Sequence, residues 1–423
     1  DHLERAAAAD RSRDAAFAAY LLADRAHDDE EIETAVERYR RVAEGYPGTE
    51  YAGLSRVRLG FLAFGAGDWE TSAEHFRRYR SDVGDGGWTQ ATMYWEARAR
   101  RAAGDAAAAG RLLRRTVERD PLTFYAMRAN ERLGVDPLSP PLLSGAGEDA
   151  DGEGVESFPV EEAGWPPEGE LSGDLESLAP SDRRLVERMS ALRDLDWRGR
   201  ALREWSVLRP RRERSPEAAL ALSRRLIESG WTWQGIALGW DLFERNGGRW
   251  TGEVLRTVFP LPYRQGVESA SRAADLDPAM VAALVRQESA FDAWAVSSAG
   301  AVGLAQLMPA TAMEVSRSLG EGAVASDLLV RPELNLRLGA RHFSELLRRH
   351  DGSTVAALIA YNAGPHRYRR WREMPERRVD AELFIERIPF AETRRYVKAV
   401  LRNAYLYPRL YDLEAPRLRF YAP

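Results

Sequence analysis

The sequence predicts an all-α fold. Strict alternation of apolar and polar residues, the pattern of a half-buried strand, is nearly absent from the last domain of this 423-residue chain, which should contain at most a short hairpin. Apolar residues instead recur at the spacing of amphipathic helices. A third observation is an internal repeat in the first part of the chain, at a period typical of paired helices. A chain of this length is expected to form about two or three domains, each with its own apolar core.

Residues 1–134 carry the repeat. The run ETAVERYRR at 33–41 returns as ETSAEHFRR at 70–78, and the Gly-Asp pair at 67–68 returns at 104–105. A period in the mid-thirties with a Gly-Asp turn is typical of tetratricopeptide-like helix pairs. Such pairs stack into an α-solenoid because each leaves an apolar face that only its neighbour covers. The array could bind a protein partner, guide a substrate, or act as a scaffold alone.

The composition changes over 135–182. This stretch is rich in Pro, Gly, Ser and acidic residues and contains no Lys or Arg, so it cannot bury enough apolar surface to offset the entropy of ordering. We predict an acidic linker here, without the residue spacing of a calcium-binding loop. Residues 183–258 return to helical patterns and predict a helical linker module. Four of its tryptophans cluster in its second half, and they favour core packing over a sugar-binding groove: Trp231, Trp233, Trp240 and Trp250.

Residues 259–423 form the last predicted domain, organised around one helix and the turn after it. Asp277 suits the N-cap and Pro278 the first helical position. Glu288 follows on the core-facing stripe, near the helix end. Burial of a carboxyl group raises its pKa towards neutrality, as a general acid requires. On spacing alone, a catalytic acid and a salt-bridged helix-end glutamate are equally good interpretations of Glu288.

Three ordered blocks then decide between these interpretations. Glu288-Ser289 followed by AVSSAGAVGLAQLMP at 295–309, AYNAGP at 360–365, and ERIPFAETRRYV at 386–397 resemble the signature segments of soluble lytic transglycosylases. These are lysozyme-like enzymes that cleave peptidoglycan glycan strands. Ala305 departs from the pattern, in which Met or another larger residue precedes the Gln. That departure is expected to widen a wall of the sugar groove and to leave the acid untouched.

The resemblance implies a lysozyme-like, goose-type catalytic domain after an N-terminal helical superstructure, and a reaction with one carboxyl group. Glu288 would protonate the oxygen that joins N-acetylmuramic acid to N-acetylglucosamine. It would then take the proton of the muramic C6 hydroxyl as that oxygen attacks C1, which leaves a 1,6-anhydromuramoyl end. Asp292 is predicted to be structural. The alternatives are a goose-type lysozyme-like hydrolase and a non-catalytic peptidoglycan-binding repeat scaffold.

The resemblance also implies which residues contact the substrate. They are Ser297, Gln306, Met308, Tyr361, Asn362, Glu386 and Tyr396. Gln306 and Asn362 can fix acetamido or hydroxyl groups through directed hydrogen bonds, and Tyr361 offers an apolar ring with a polar tip. For these residues the alternative roles are turn capping, loop bracing and core packing. The arginines at 367–372 could meet peptide-stem carboxylates or form a solvated face.

Composition argues against several other classes of protein. With no cysteine, the chain has no disulfide or thiolate chemistry, and its six histidines lack ligand-like spacing. It has no phosphate-binding loop or dinucleotide fingerprint, so we expect neither a metal nor a cofactor. A net charge of -5 gives no case for nucleic acid, and no stretch approaches the roughly 20 apolar residues of a membrane span. We expect a monomer bound to glycan strands in the periplasm or cell envelope of a bacterium. Export is inferred from the substrate, since the chain opens on Asp1 without a signal peptide.

Overall fold

The computed structural model describes residues 2–9, 12–135, 178–208, 215–414 and 416–419. Regular structure within these residues is helical, and the extended contacts among them are isolated bridges from Val302 to Val296 and to Leu307. The prediction of an all-α fold is confirmed. The predicted acidic linker lies almost entirely outside the described residues, so its order stays a prediction. No helix of the described part of the chain is long and apolar enough to cross a membrane.

The chain divides into two compact units. The first unit joins Asp1–Pro137 to Arg370–Phe390, and the second joins Leu138–Arg369 to Ala391–Pro423. The boundaries predicted from sequence at 134, 182 and 258 divide the chain differently and stay predictions. The helices of the first unit are His2–Ala9, Arg13–Asp28, Ile32–Gly45, Glu50–Gly65, Trp69–Val83, Thr89–Ala102, Ala106–Arg119, Phe124–Leu133, Glu376–Val379 and Ala381–Arg387.

The Gly-Asp pairs explain how the first unit turns from one helix to the next. Gly67 and Gly104 have φ of 78° and 93°, a left-handed conformation that glycine adopts without steric cost and that ends a helix. The following aspartates, Asp68 and Asp105, cap the next helices by accepting hydrogen bonds from backbone N–H groups. One dipeptide therefore ends one helix and starts another, which is why it recurs with the repeat.

The segment 370–390 belongs to the first unit through a buried glutamate on its second helix. Glu382 is 4% exposed. Its carboxylate accepts hydrogen bonds from, or lies within ion-pair distance of, four side chains of the repeat helices: Tyr94, Arg98, Arg128 and Arg132. Burial opposes ionisation, but the three arginine charges outweigh it and lower the pKa of Glu382 to about 2. The carboxylate thus anchors this segment among the repeat helices.

The second unit begins with a helical module and continues into the helices that surround Glu288. Its helices are Pro180–Asp194, Arg198–Leu208, Pro216–Glu228, Thr232–Arg245, Gly252–Val258, Arg264–Ala274, Pro278–Ser289, Pro309–Ser318, Pro332–Arg349, Thr354–Ala363 and Ala391–Tyr411, with a 3₁₀ helix at Ser326–Val330. A further helix, Pro365–Trp371, crosses the division between the units. Trp231 and Trp250 are buried as core residues, whereas Trp233 and Trp240 are exposed.

The helix Pro278–Ser289 is the centre of the second unit. It is buried along most of its length and packs against Ala391–Tyr411. Asp277 occupies the N-cap position, but its carboxylate accepts from the Arg417 N–H instead of capping the helix. Ala290 and Phe291 have φ of 52° and 61°, a conformation that side chains with a Cβ rarely adopt. The helix therefore ends abruptly and leaves Glu288 in its last turn.

Candidate active site

Glu288 is a partly buried carboxyl group that has one direct hydrogen-bond partner among the described residues. The hydroxyl of Tyr396 donates to its Oε1 at 2.5 Å. Burial raises the pKa of Glu288 to about 7, and the hydrogen bond from Tyr396 acts weakly in the opposite direction. Among the described residues no ion pair to Glu288 is formed. A large fraction of Glu288 is therefore protonated near neutral pH, and the group can both give and take a proton.

Two tyrosines flank this carboxyl group. Tyr396 comes from the helix Ala391–Tyr411 and is 5% exposed. Tyr361 comes from Thr354–Ala363, and its hydroxyl donates to the Ala305 carbonyl at 2.6 Å. Burial, and then the negative charge of Glu288, raise the pKa of both phenols well above the ordinary value. Both tyrosines stay neutral hydrogen-bond donors beside Glu288.

The turn after the central helix is braced by its own polar side chains. Gln306 has a φ of 47°, and its Nε2 donates to the carbonyls of Ala295 and Gly303 at 3.0 and 2.9 Å. The Oγ of Ser297 accepts from the Ala301 N–H at 3.0 Å. Through these contacts both side chains brace the turn, which is the alternative to substrate contact that the sequence analysis gave for them. Contact of Ser297 and Gln306 with a substrate stays a prediction.

Asn335 is the supporting residue that the sequence did not indicate. It is fully buried; its Oδ1 accepts from the Ala305 N–H at 2.7 Å, and its Nδ2 donates to the Val302 and Leu329 carbonyls. Gly303 is the glycine that this contact requires, because a Cβ there would lie 2.4 Å from the Asn335 Nδ2. An asparagine inside an amphipathic helix gives no sequence signal of its own, so only its contacts reveal the role.

Ala305, the departure from the resemblance, does not line a groove in this structure. Its side chain is 1% exposed. It packs on the helix Pro332–Arg349, where a Cβ on Gly339 would lie 2.3 Å from the Ala305 Cβ. The expectation that a small residue here widens a wall of the groove is therefore not met. The alanine instead allows this turn to approach the helix closely.

The two other residues of the second unit that were predicted to contact the substrate, Asn362 and Met308, are at least partly exposed. Asn362 is partly exposed, and its Oδ1 accepts from the Thr393 hydroxyl at 2.7 Å. Because this bond occupies the amide oxygen, the amide nitrogen is the group of Asn362 that can donate a hydrogen bond to a ligand. Met308 is 42% exposed at the start of Pro309–Ser318, so it is accessible to a ligand.

Two acidic residues that the sequence considered are held by other groups. Asp292 forms an ion pair with Arg198, and its Oδ1 accepts from the Trp294 N–H at 2.9 Å. Glu386 lies in the first unit, is 1% exposed, and accepts from Tyr125 at 2.8 Å and from Trp95 at 3.4 Å. These partners fit a structural role for both residues. Substrate contact by Glu386 stays a prediction.

The arrangement suits proton transfer to and from a neutral ligand. It offers one carboxyl group with a pKa near neutrality and two neutral phenols, while the nearby Asp292 is already paired with a cation. No group of acidic and histidine side chains that could hold a metal ion is found among the described residues.

Comparisons with known proteins agree with the three motif blocks. The family described as transglycosylase SLT domain matches residues 266–384, and the one described as soluble lytic transglycosylase helical domain matches 387–415. The chain is 35% identical over 203 residues to the soluble lytic murein transglycosylase of Salmonella typhimurium, and 32% identical over 202 residues to that of Escherichia coli. Each alignment covers 47% of this chain and 30% of the relative, so the chain matches less than a third of their length.

Solved structures extend the likeness to nearly the whole chain. An inactive glutamate-to-glutamine mutant of the lytic transglycosylase Slt from Pseudomonas aeruginosa has a TM-score of 0.61 at 25% identity, covering 98% of this chain and 63% of that one. The 70 kDa soluble lytic transglycosylase from Escherichia coli has a TM-score of 0.65 at 22% identity, covering 97% and 65%. At 22% identity, the match to the Escherichia coli structure shows similarity of fold alone.

Proposed function

We propose that the chain is a peptidoglycan lytic transglycosylase of the family described as transglycosylase SLT domain, whose model matches residues 266–384. It cleaves the β-1,4 bond between N-acetylmuramic acid and N-acetylglucosamine and leaves 1,6-anhydromuramoyl ends. The observation that carries this proposal is Glu288, a carboxyl group with a pKa near 7 and no cationic partner among the described residues. A group of this kind can act first as general acid and then as general base at one pH.

The chemistry needs one carboxyl group used twice. Protonated Glu288 gives its proton to the bridging oxygen as the bond to the muramic C1 breaks, and the 2-acetamido group of that sugar stabilises the cationic carbon. The Glu288 carboxylate then accepts the proton of the C6 hydroxyl while its oxygen bonds to C1. The proton count closes, no water is consumed, and the enzyme is a lyase.

The neighbouring side chains support this cycle. The hydroxyl of Tyr396 donates to Glu288 at 2.5 Å and stabilises the carboxylate that forms after the first step. Tyr361 holds the turn through the Ala305 carbonyl. We assign Asn362 and Met308 to the substrate groove, because both are accessible and one presents an amide.

A goose-type lysozyme-like hydrolase is the alternative reaction. It would need a positioned water and a second carboxylate as base. Asp292 is the acidic residue nearest to Glu288 along the sequence, and its ion pair with Arg198 argues against that role. A non-catalytic peptidoglycan-binding scaffold is the second alternative, and the retained Glu288 argues against it.

The site of action follows from the substrate. A peptidoglycan lyase acts in the periplasm or cell envelope of a bacterium, and we propose that location. The proposed partners are glycan strands, with a protein partner on the repeat helices as a further expectation.

The test is mass spectrometry of muropeptides released from purified peptidoglycan by the full chain and by two variants. We expect anhydro products, lighter by one water than reducing muropeptides, with the rate reduced about 10²–10⁴-fold in Glu288→Gln. The matched variant Asp292→Asn should retain the anhydro products. Reducing ends that disappear in Asp292→Asn would establish the hydrolase, and no product from any of the three would favour the scaffold.

A further inference from the structure

The first unit contains a cavity of about 260 Å³ bounded by repeat helices on one side and by segment 370–390 on the other. Most of its wall is apolar, and carboxyl groups lie within it and at its rim. The principal apolar side chains are Ile32, Phe61, Leu62, Met374, Val379 and Leu383. A cavity of this kind accepts one aliphatic chain with a polar end.

A buried histidine marks the polar end. His27 is 3% exposed, and within the described part of the chain neither Nδ1 nor Nε2 of its ring has a hydrogen-bond partner. The Glu376 Oε1 lies 3.5 Å from Nε2, within ion-pair distance. Burial lowers the pKa of His27, so the ring is mostly neutral at pH 7 and one of its nitrogens is an acceptor. An unpaired acceptor and a carboxylate therefore face the same space.

The charge of the wall selects a cation. Four acidic residues and two arginines line the cavity, and both arginines already have carboxylate partners. Arg387 donates to Asp28 at 2.9 Å and lies 3.2 Å from Glu376, while Arg58 lies 3.4 Å from an aspartate outside the cavity. The wall is thus negative in excess, and an ammonium group would find both attraction and acceptors.

We propose that this cavity binds a short aliphatic chain that ends in a primary ammonium group, with Glu376 and His27 as acceptors. The occupant that fits the proposed function, on which this part rests, is the free side-chain amine of a diamino acid in a peptidoglycan stem peptide. The cavity takes a single side chain, and crosslinking the amine removes its charge. The site therefore distinguishes free stems from crosslinked ones.

Binding of small probes to the full chain tests the ligand chemistry. Nα-acetyl-lysine amide and Nα-acetyl-norleucine amide share the aliphatic chain and differ in the ammonium group. We expect the lysine probe to bind about tenfold more tightly by titration calorimetry or saturation-transfer NMR, because a charged hydrogen bond is lost in the other. Equal binding of the two probes would overturn the proposal.

Variants locate the site. Glu376→Gln should weaken the lysine probe about tenfold, and Ala66→Trp should block it, since Ala66 is an exposed wall residue at a helix end. Glu373→Gln, an exposed neighbour paired with Arg372, is the matched control and should bind normally. Thermal melting identifies any variant that fails to fold. Unchanged binding in folded Glu376→Gln and Ala66→Trp would place the probe elsewhere and refute the site.

A final arm tests the stem peptide. An N-acetylated stem tripeptide with a free side-chain amine should displace the lysine probe, and the same peptide with that amine acetylated should not. If neither displaces it, the stem assignment is overturned and a lysine of a protein partner becomes the occupant. These measurements do not depend on turnover, and Glu288→Gln should bind the probes like the parent chain. Failure here is therefore distinguishable from failure of the proposed reaction.

Discussion

A buried glutamate in the first unit and a partly buried one in the second show how a structural carboxylate differs from a catalytic one. Glu382 in the first unit is surrounded by three arginines and a tyrosine, and its pKa falls to about 2. Glu288 in the second unit receives one hydrogen bond from a tyrosine, and its pKa rises to about 7. Burial acts in the same direction on both, so the counter-charges alone decide the difference.

The same contrast separates a glutamate that contributes to stability, Glu382, from one that is proposed to act in catalysis, Glu288. Glu382 stays ionised throughout the physiological range and contributes to the cohesion of its unit. Glu288 changes protonation at working pH, and the folded state loses stability when this group ionises without a cation nearby. This loss of stability is necessary for general acid catalysis by Glu288, because a carboxylate paired with a cation could not hold a proton near pH 7.

The largest effect we expect is the loss of the Glu382 charge. Glu382→Gln leaves three arginines around a neutral amide, and breaking a buried ion cluster costs about 4 kcal/mol of unfolding free energy. Because the folded pKa of Glu382 lies below the unfolded value, this difference should be full above about pH 4.5 and shrink as the pH falls towards 2. Urea unfolding at several pH values measures it.

Glu131→Gln is the control for that experiment. Glu131 pairs with Arg128 at the edge of the same cluster and is more exposed than Glu382. Its loss should cost under about 1 kcal/mol. A Glu382 variant as stable as this control would mean that the cluster does not hold segment 370–390 in the first unit.

The second effect has the opposite sign. The folded pKa of Glu288 lies above the ordinary 4.5, so the unfolded chain releases this proton first and the folded state loses stability as the pH rises from about 4.5 to 7. Glu288→Gln should therefore stabilise the protein by about 3 kcal/mol at pH 8 and by little at pH 4. Parallel unfolding curves at the two pH values measure this difference.

Glu392 is an exposed glutamate in the first turn of Ala391–Tyr411. Glu392→Gln serves as the control and should change stability by less than about 1 kcal/mol at either pH. If Glu288→Gln instead destabilised the protein at pH 8, Glu288 would have a cationic partner, and the contrast with Glu382 would collapse.

The smallest effect we expect is a change in the pKa of Glu288 when its hydrogen-bond partner is removed. Tyr396→Phe removes the hydrogen bond that favours the carboxylate, so the pKa of Glu288 should rise by about one unit. Activity that needs the protonated acid falls as pH rises through this pKa, and the alkaline limb of kcat/KM should move upward by the same amount.

Tyr361→Phe is matched to that variant, since it removes a buried hydroxyl that bonds the Ala305 carbonyl instead of Glu288. Its pH profile should keep the parent limb even if the rate falls. If the alkaline limb of kcat/KM moved by the same amount in both variants, general loosening of the site, and not loss of the Tyr396 hydrogen bond, would explain the change in the pKa of Glu288.

Local sequence patterns predicted much of this architecture. The Gly-Asp repeat predicted helix turns that the structure contains at Gly67 and Gly104. The helical spacing after Pro278 put Glu288 on a core-facing stripe, and the motif blocks predicted its importance. Asn335 and the Ala305–Gly339 contact could not be predicted, because neither residue carries a chemical signal until its partner is known.

By itself, then, the sequence determined the features that depend on neighbours along the chain: the helices, their turns, the motif blocks and the candidate acid. Only the tertiary structure decided which groups surround each carboxylate. Tyr396 lies 108 residues from Glu288, and Arg98 lies 284 residues from Glu382. A pKa depends on charges and solvent within a few ångströms, and helix periodicity carries no information about contacts at such separations.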